Sequence, residues 1–142
     1  MPPNGHALLS ASSSDRWLHC PPSARLCETY EDKRSDYAAE GTDAHALCEY
    51  KLWKALGMEA VYPTENLTWF NQEMDDCASG YAAFIMELLA EARKGCADPV
   101  VLIEQRVDFS RWVEQGFGTS DAILIADGTM HVIDYKHGLG VL

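Results

Sequence analysis

The chain has 142 residues, 47% of them hydrophobic and 10% aromatic, which is enough apolar material for one modest core and excludes a disordered or low-complexity protein. Twenty-two acidic residues against eleven basic ones give a formal charge of −11, so any nucleic-acid role needs a locally basic groove, a metal or a further segment. No run approaches the roughly 18 apolar residues of a membrane span, and the opening residues lack the basic and apolar stretches of a secretory leader, so a cytoplasmic protein with no membrane partner is expected.

Ser12, Ser13, Ser14 and Asp15 supply helix N-cap chemistry ahead of Arg16-Trp17-Leu18, and Pro21-Pro22 stops that short helix and pre-sets the next turn. Residues 37–56 follow a helical period, with Gly41, Ala44, His45, Cys48, Leu52 and Leu56 along one stripe and Gly57 as a C-terminal stop. His45 thereby points inward, and small Gly41 would let its turn approach the sheet closely. A second long helix is expected from about residue 68 to 94, where Phe70, Met74, Cys77/Ala78, Tyr81, Ile85, Leu88 and Ala92 recur every three or four positions, with Gly95 closing it.

The period then changes. Residues 100–109, 117–126 and 129–136 read as three strands forming an antiparallel meander. With no internal repeat and no interdomain linker, residues 1–142 are expected to form one α+β domain, its N-terminal helices packed on a three-stranded antiparallel sheet. The five cysteines, Cys20, Cys27, Cys48, Cys77 and Cys96, are dispersed and include no C-x-x-C. They read as small buried hydrophobes rather than a disulfide framework or a zinc site. Trp17, Trp53, Trp69 and Trp112 are scattered, which favours core packing over base stacking, and Glu73, Asp75 and Asp76 read as a solvated helix face.

The last two strands flank Asp127-Gly128, the strongest short signal for a two-residue hairpin loop. Counting outward from that loop pairs Ala126 with Thr129 and, further along, sets Asp121 opposite Asp134. Like charges directly opposite on one sheet face are destabilising, so a cation between them is one explanation. Lys136, two residues beyond Asp134, projects from the same face. Asp121 and Asp134 could hold magnesium or manganese together with the backbone carbonyl of Tyr135, while Lys136 orients the attacking water in a phosphodiester hydrolysis. The plain alternative is a solvated sheet face on which Lys136 neutralises two aspartates. Glu104, in an otherwise apolar run, could add a ligand, pair with Arg106 or Lys136, or occupy a solvent position on an edge strand, which is the favoured reading. His45 has its own plain reading as a hydrogen-bonded core histidine.

Residues 10–26 with Arg16-Trp17-Leu18-His19-Cys20-Pro21, then Glu40-Gly41-Thr42-x-x-His45, Gly118-x-x-Asp121 and Asp134-x-Lys136, occur in one order. This set resembles the RecB-like branch of the PD-(D/E)XK nuclease superfamily, and within it a group encoded by phages and prophages, from about residue 6 to 140. The resemblance implies the restriction-endonuclease-like αβββ core, metal ligands His45, Asp121, Asp134 and the Tyr135 carbonyl, a catalytic Lys136, and magnesium- or manganese-dependent cleavage of DNA. Cys20 matches the first of four cysteines that hold an iron–sulfur cluster in some relatives; no cysteine follows Cys96, so no cluster is expected.

Relatives continue past the D-x-K strand with a helix and a further strand, so this sequence reads as the N-terminal portion of that core. The open sheet edge would suit a second copy or a protein partner. The charge of −11 keeps a different class in view: a non-catalytic nuclease-like binding module, or an inhibitor that mimics DNA toward a basic host partner.

Overall fold

A computed structural model describes residues 7–30, 36–63 and 67–138. The first six residues, included in the leader reading, and the closing run from Leu139 lie outside them. The order is a 3₁₀ turn (Ala11–Ser13), α1 (Ser14–His19), α2 (Pro22–Cys27), α3 (Asp36–Ala55), α4 (Gln72–Gly95), β1 (Val100–Asp108), β2 (Phe117–Ala126) and β3 (Thr129–Ile133). The strands form one sheet in the order β1-β2-β3, so the fold class is α+β with the helices preceding the sheet. Two compact units divide the chain, one of residues 1–33 and 105–120, the other of residues 34–104 and 121–142.

In the first unit the serines do not cap α1 as expected. The Ser13 hydroxyl donates to the Ser10 carbonyl, which also accepts from the Trp17 indole at 2.9 Å, so the hydroxyls are spent on the preceding turn. Pro22 occupies the first position of α2, where its missing N–H goes unmissed. The loop between β1 and β2 folds on itself, with Phe109 N–H donating to the Gly116 carbonyl at 3.0 Å. A Cβ at Gly116 would meet the Phe109 ring at 2.5 Å, so this close approach requires glycine.

The second unit is built on α3 and α4. Ala44, Leu47, Cys48 and Leu52 face Met74, Ala78, Tyr81, Ala82 and Ile85, and Ala122 of β2 joins the same cluster. The small residues let large ones interdigitate, and each fully buried side chain such as Leu47, Leu52 or Ile85 contributes about 1.5–3 kcal/mol through burial. Lys51 ties the helices at their edge, reaching Asp75 Oδ2 at 2.7 Å and the Ser79 hydroxyl at 2.6 Å. Asp75 is therefore a half-buried partner rather than part of a purely solvated face.

α3 ends as its sequence demands. Gly57 takes φ 77, its N–H bonds the Lys54 carbonyl and that of Met58 bonds the Trp53 carbonyl, which is the Schellman pattern. α4 begins at Gln72, later than the expected residue 68, because Asn71 adopts an extended backbone and its side chain accepts the Met74 N–H at 2.8 Å. Phe70 is consequently outside the helix and exposed. Two further expectations fail on burial. None of the four tryptophans joins the buried core, Trp112 being 76% exposed. Of the five free thiols only Cys48 is buried, while Cys20, Cys27 and Cys77 face solvent.

The hairpin register agrees with the count from its loop: Ala126 pairs with Thr129, Ile125 with Met130, Leu124 with His131, Ile123 with Val132 and Ala122 with Ile133. Asp127 and Gly128 have φ 46 and 73, the two positive values of a type I′ turn. However, β3 was expected through Lys136 and ends at Ile133. The Tyr135 N–H, which a longer ladder would use, donates to Asp121 Oδ2 at 2.6 Å instead.

Candidate metal centre

Three elements deliver one side chain each. His45 lies on α3 beside buried Ala44 and one turn before buried Cys48, which fixes its ring at the edge of the core. Asp121 precedes Ala122, the β2 residue that packs into that core. Glu104 comes from the middle of β1. Its neighbour Ile103 packs on the core, and strict strand alternation would turn Glu104 to the opposite face. Instead Glu104 adopts φ 48, a left-handed backbone that breaks the alternation as a bulge does and brings its carboxylate round to the helix side.

The result is a cluster in which one ligand atom each from His45, Glu104 and Asp121 lies within 4.8 Å of the others. Oxygen ligands sit about 2.0–2.6 Å from a hard divalent cation, so two ligands across one ion are about 4–5 Å apart, and the spread suits a single ion. His45 Nδ1 lies 3.1 Å from Asp121 Oδ1, with the aspartate side chain only 13% exposed.

The electrostatics of the three groups interlock. The hydrogen bond to Asp121 raises the His45 pKa, against an opposing pull from burial. Burial pushes Asp121 up, but the bond from His45, the Tyr135 N–H and the charges of His45 and Lys136 outweigh it and hold the carboxyl below its usual range. Glu104 moves the other way, raised first by burial and then by the negative charges of Asp121 and Glu49. Two carboxylates with opposed shifts beside one imidazole form a site where added positive charge is favoured.

Of the residues picked out in the sequence, His45, Asp121 and Glu104 are brought together, and Glu104 also keeps the exposed position on an edge strand that was its favoured reading. Asp134 is outside the cluster. It pairs with Lys136 at 2.7 Å, and the two side chains are 57% and 79% exposed. That is the neutralising contact of the plain reading, although the Lys136 charge still lowers the pKa of both His45 and Asp121. The Tyr135 N–H is the group of that residue engaged with Asp121. Gly41 makes no close approach, since a Cβ there would meet nothing within 4 Å. The sequence reading passed over one constellation altogether: the His137 ring stacks on Tyr135 at 6.2 Å, and its Nε2 faces Glu40 Oε1 at 3.4 Å. Its only signal was that His137 directly follows the D-x-K motif.

Fold and site thus define an α+β chain with an imidazole–dicarboxylate cluster between its third helix and its sheet. The chain belongs to the family described as Protein of unknown function (DUF2800), whose model matches residues 6–142. No solved structure matches the chain. Among the described residues, no helix is long and apolar enough to cross a membrane.

Proposed function

We propose that the chain is a metal-dependent nuclease domain that hydrolyses phosphodiester bonds in DNA, the activity implied by its resemblance to the RecB-like nucleases. The observation that carries this reading is the convergence of His45, Glu104 and Asp121 from three separate elements, with Glu104 held there by an unfavourable backbone conformation. Glu104 stands exposed at the rim of the cluster and His45 and Asp121 are half-buried, so the three are open to an entering cation. Imidazole with two carboxylates suits manganese, and carboxylates suit magnesium; either ion would supply neutralising charge and an activated water.

The chain's own groups carry the remaining work. Asp121, kept ionised by its two donors, is ready as a ligand, and a carboxylate with four lone-pair sites can keep those bonds while binding an ion. Lys136 is exposed enough to meet a phosphate and charged enough to offset negative charge that develops on it. Asp134 restrains that ammonium until substrate arrives, and the resemblance would add it as a further ligand.

Manganese calorimetry on the wild type and Asp121→Ala, with cleavage of end-labelled DNA by the wild type and Lys136→Ala, tests the reading. Binding lost in Asp121→Ala and cleavage lost in Lys136→Ala with binding retained are expected. Equal manganese affinity in wild type and Asp121→Ala would sink it. The exposed Asp134–Lys136 pair and the charge of −11 favour one second reading, a non-catalytic binding module. Metal binding without cleavage, together with capture of a basic partner that DNA competes away, would select that one.

A further inference from the structure

Beyond Ile133 the chain leaves the β-ladder, yet this is where Asp134 and Lys136 reside. Two side-chain attachments to α3 hold the segment instead. At the first, Asp121 Oδ2 accepts the Tyr135 N–H while Asp121 Oδ1 meets His45 of α3, and the edges of the Tyr135 and His45 rings pack with centroids 5.6 Å apart. The second attachment involves His137, whose side chain is only 9% exposed. Its ring lies nearly parallel to that of Tyr135, at 18°, with Nδ1 3.1 Å from the Tyr135 hydroxyl and Nε2 3.4 Å from Glu40 Oε1, also on α3. The ring of His137 thus bridges the Tyr135 hydroxyl on one side and the Glu40 carboxylate of α3 on the other.

We propose that Glu40 and His137 are positioning residues that pin the 135–137 segment at a second point on α3, and so aim the intervening Lys136 toward the His45–Glu104–Asp121 cluster. A single attachment at Tyr135 would leave the segment free to swing about one hydrogen bond. Two attachments, on either side of Lys136, fix its backbone. Glu40, Tyr135, Lys136 and His137 also line one cavity of about 640 Å³, so the clamp sets the wall of the space beside the lysine. The catalytic part of this inference rests on the nuclease reading, while the clamp itself does not.

Two readouts keep them apart: amide hydrogen exchange at Tyr135 by NMR, and kcat and KM for manganese-dependent DNA cleavage. His137→Ala is expected to speed Tyr135 amide exchange about tenfold relative to the amides of α4, and to lower kcat about tenfold or more with KM unchanged. His137→Gln, whose Nε2 falls near the former ring Nε2 and can still reach Glu40, should restore most of both, and Glu40→Gln should give a smaller loss of the same kind. If His137→Ala does not fold, His137→Gln against Glu40→Ala gives the same comparison. Exchange and kcat of His137→Ala within about twofold of wild type, or a loss that His137→Gln does not rescue, overturns the clamp. A wild type that never cleaves DNA removes the nuclease reading, and Tyr135 exchange then decides the clamp alone.

Discussion

Oδ2 of Asp121 accepts the Tyr135 main-chain N–H at 2.6 Å, in the place where the β2–β3 ladder would otherwise have continued. One carboxylate therefore ends the hairpin, holds the following segment and stands in the metal cluster. Asp121→Ala strips a part-buried N–H and His45 of their partner, and is expected to destabilise the fold by about 1–3 kcal/mol in urea unfolding. Asp121→Asn keeps an acceptor for Tyr135, so part of the stability should return while manganese binding stays lost.

Metal affinity should depend on pH with a definite sign. Binding requires neutral His45 and ionised Glu104, whose pKa values are raised from 6.5 by the Asp121 hydrogen bond and from 4.5 by burial, so manganese affinity in calorimetry should keep climbing as pH rises past 6.5 and level off only once His45 is neutral.

Stability without metal should run the other way. The raised His45 pKa contributes stability that is complete below 6.5 and is lost as pH rises through its folded value, and ionising Glu104 adds to that loss. The lowered Asp121 pKa contributes above 3.8 and is lost as pH falls through its folded value. In EDTA, the stabilisation from the pair should be greatest between 3.8 and 6.5, as read by denaturation midpoints across pH.

Glu104 and Asp134 offer different ligand sets. The geometry includes Glu104 and leaves Asp134 on Lys136, so Glu104→Gln is expected to weaken manganese about tenfold or more, whereas Asp134→Ala changes it by less than about threefold. The reverse order in calorimetry would restore Asp134 as the ligand.

Thiol reactivity should separate the cysteines. Burial pushes the Cys48 thiol up to about 12, against a weaker opposing bond from Tyr135, so it should stay silent to an alkylating reagent until the protein unfolds. Cys20, Cys27 and Cys77 are exposed and should react in the native state, which mass spectrometry of labelled peptides would show.

The hairpin and the helix stops were legible because their chemistry is local. Asp127-Gly128 can adopt two positive φ values cheaply, and that turn alone fixes the register out to Ala122 and Ile133. Gly57 ends α3 for the same kind of reason. Several of the misreadings involve residues far apart in the chain. β3 stops because a side chain on β2 takes the N–H of Tyr135, and the exposure of Trp112 and Cys77 is something composition cannot reveal. Glu104 is exposed on an edge strand as expected, but the left-handed backbone that also brings its carboxylate to His45 and Asp121 has no signal in the spacing. Nothing in the spacing connects Glu40 with His137.

That backbone at Glu104 has a consequence for how the protein would respond to selection. Glycine adopts φ 48 without the steric penalty of a side-chain-bearing residue, so Glu104→Gly should relieve about 1 kcal/mol of strain while deleting a carboxylate from the cluster. A library screened for heat resistance alone should therefore enrich Glu104→Gly, and one screened for heat resistance and bound manganese together should keep glutamate.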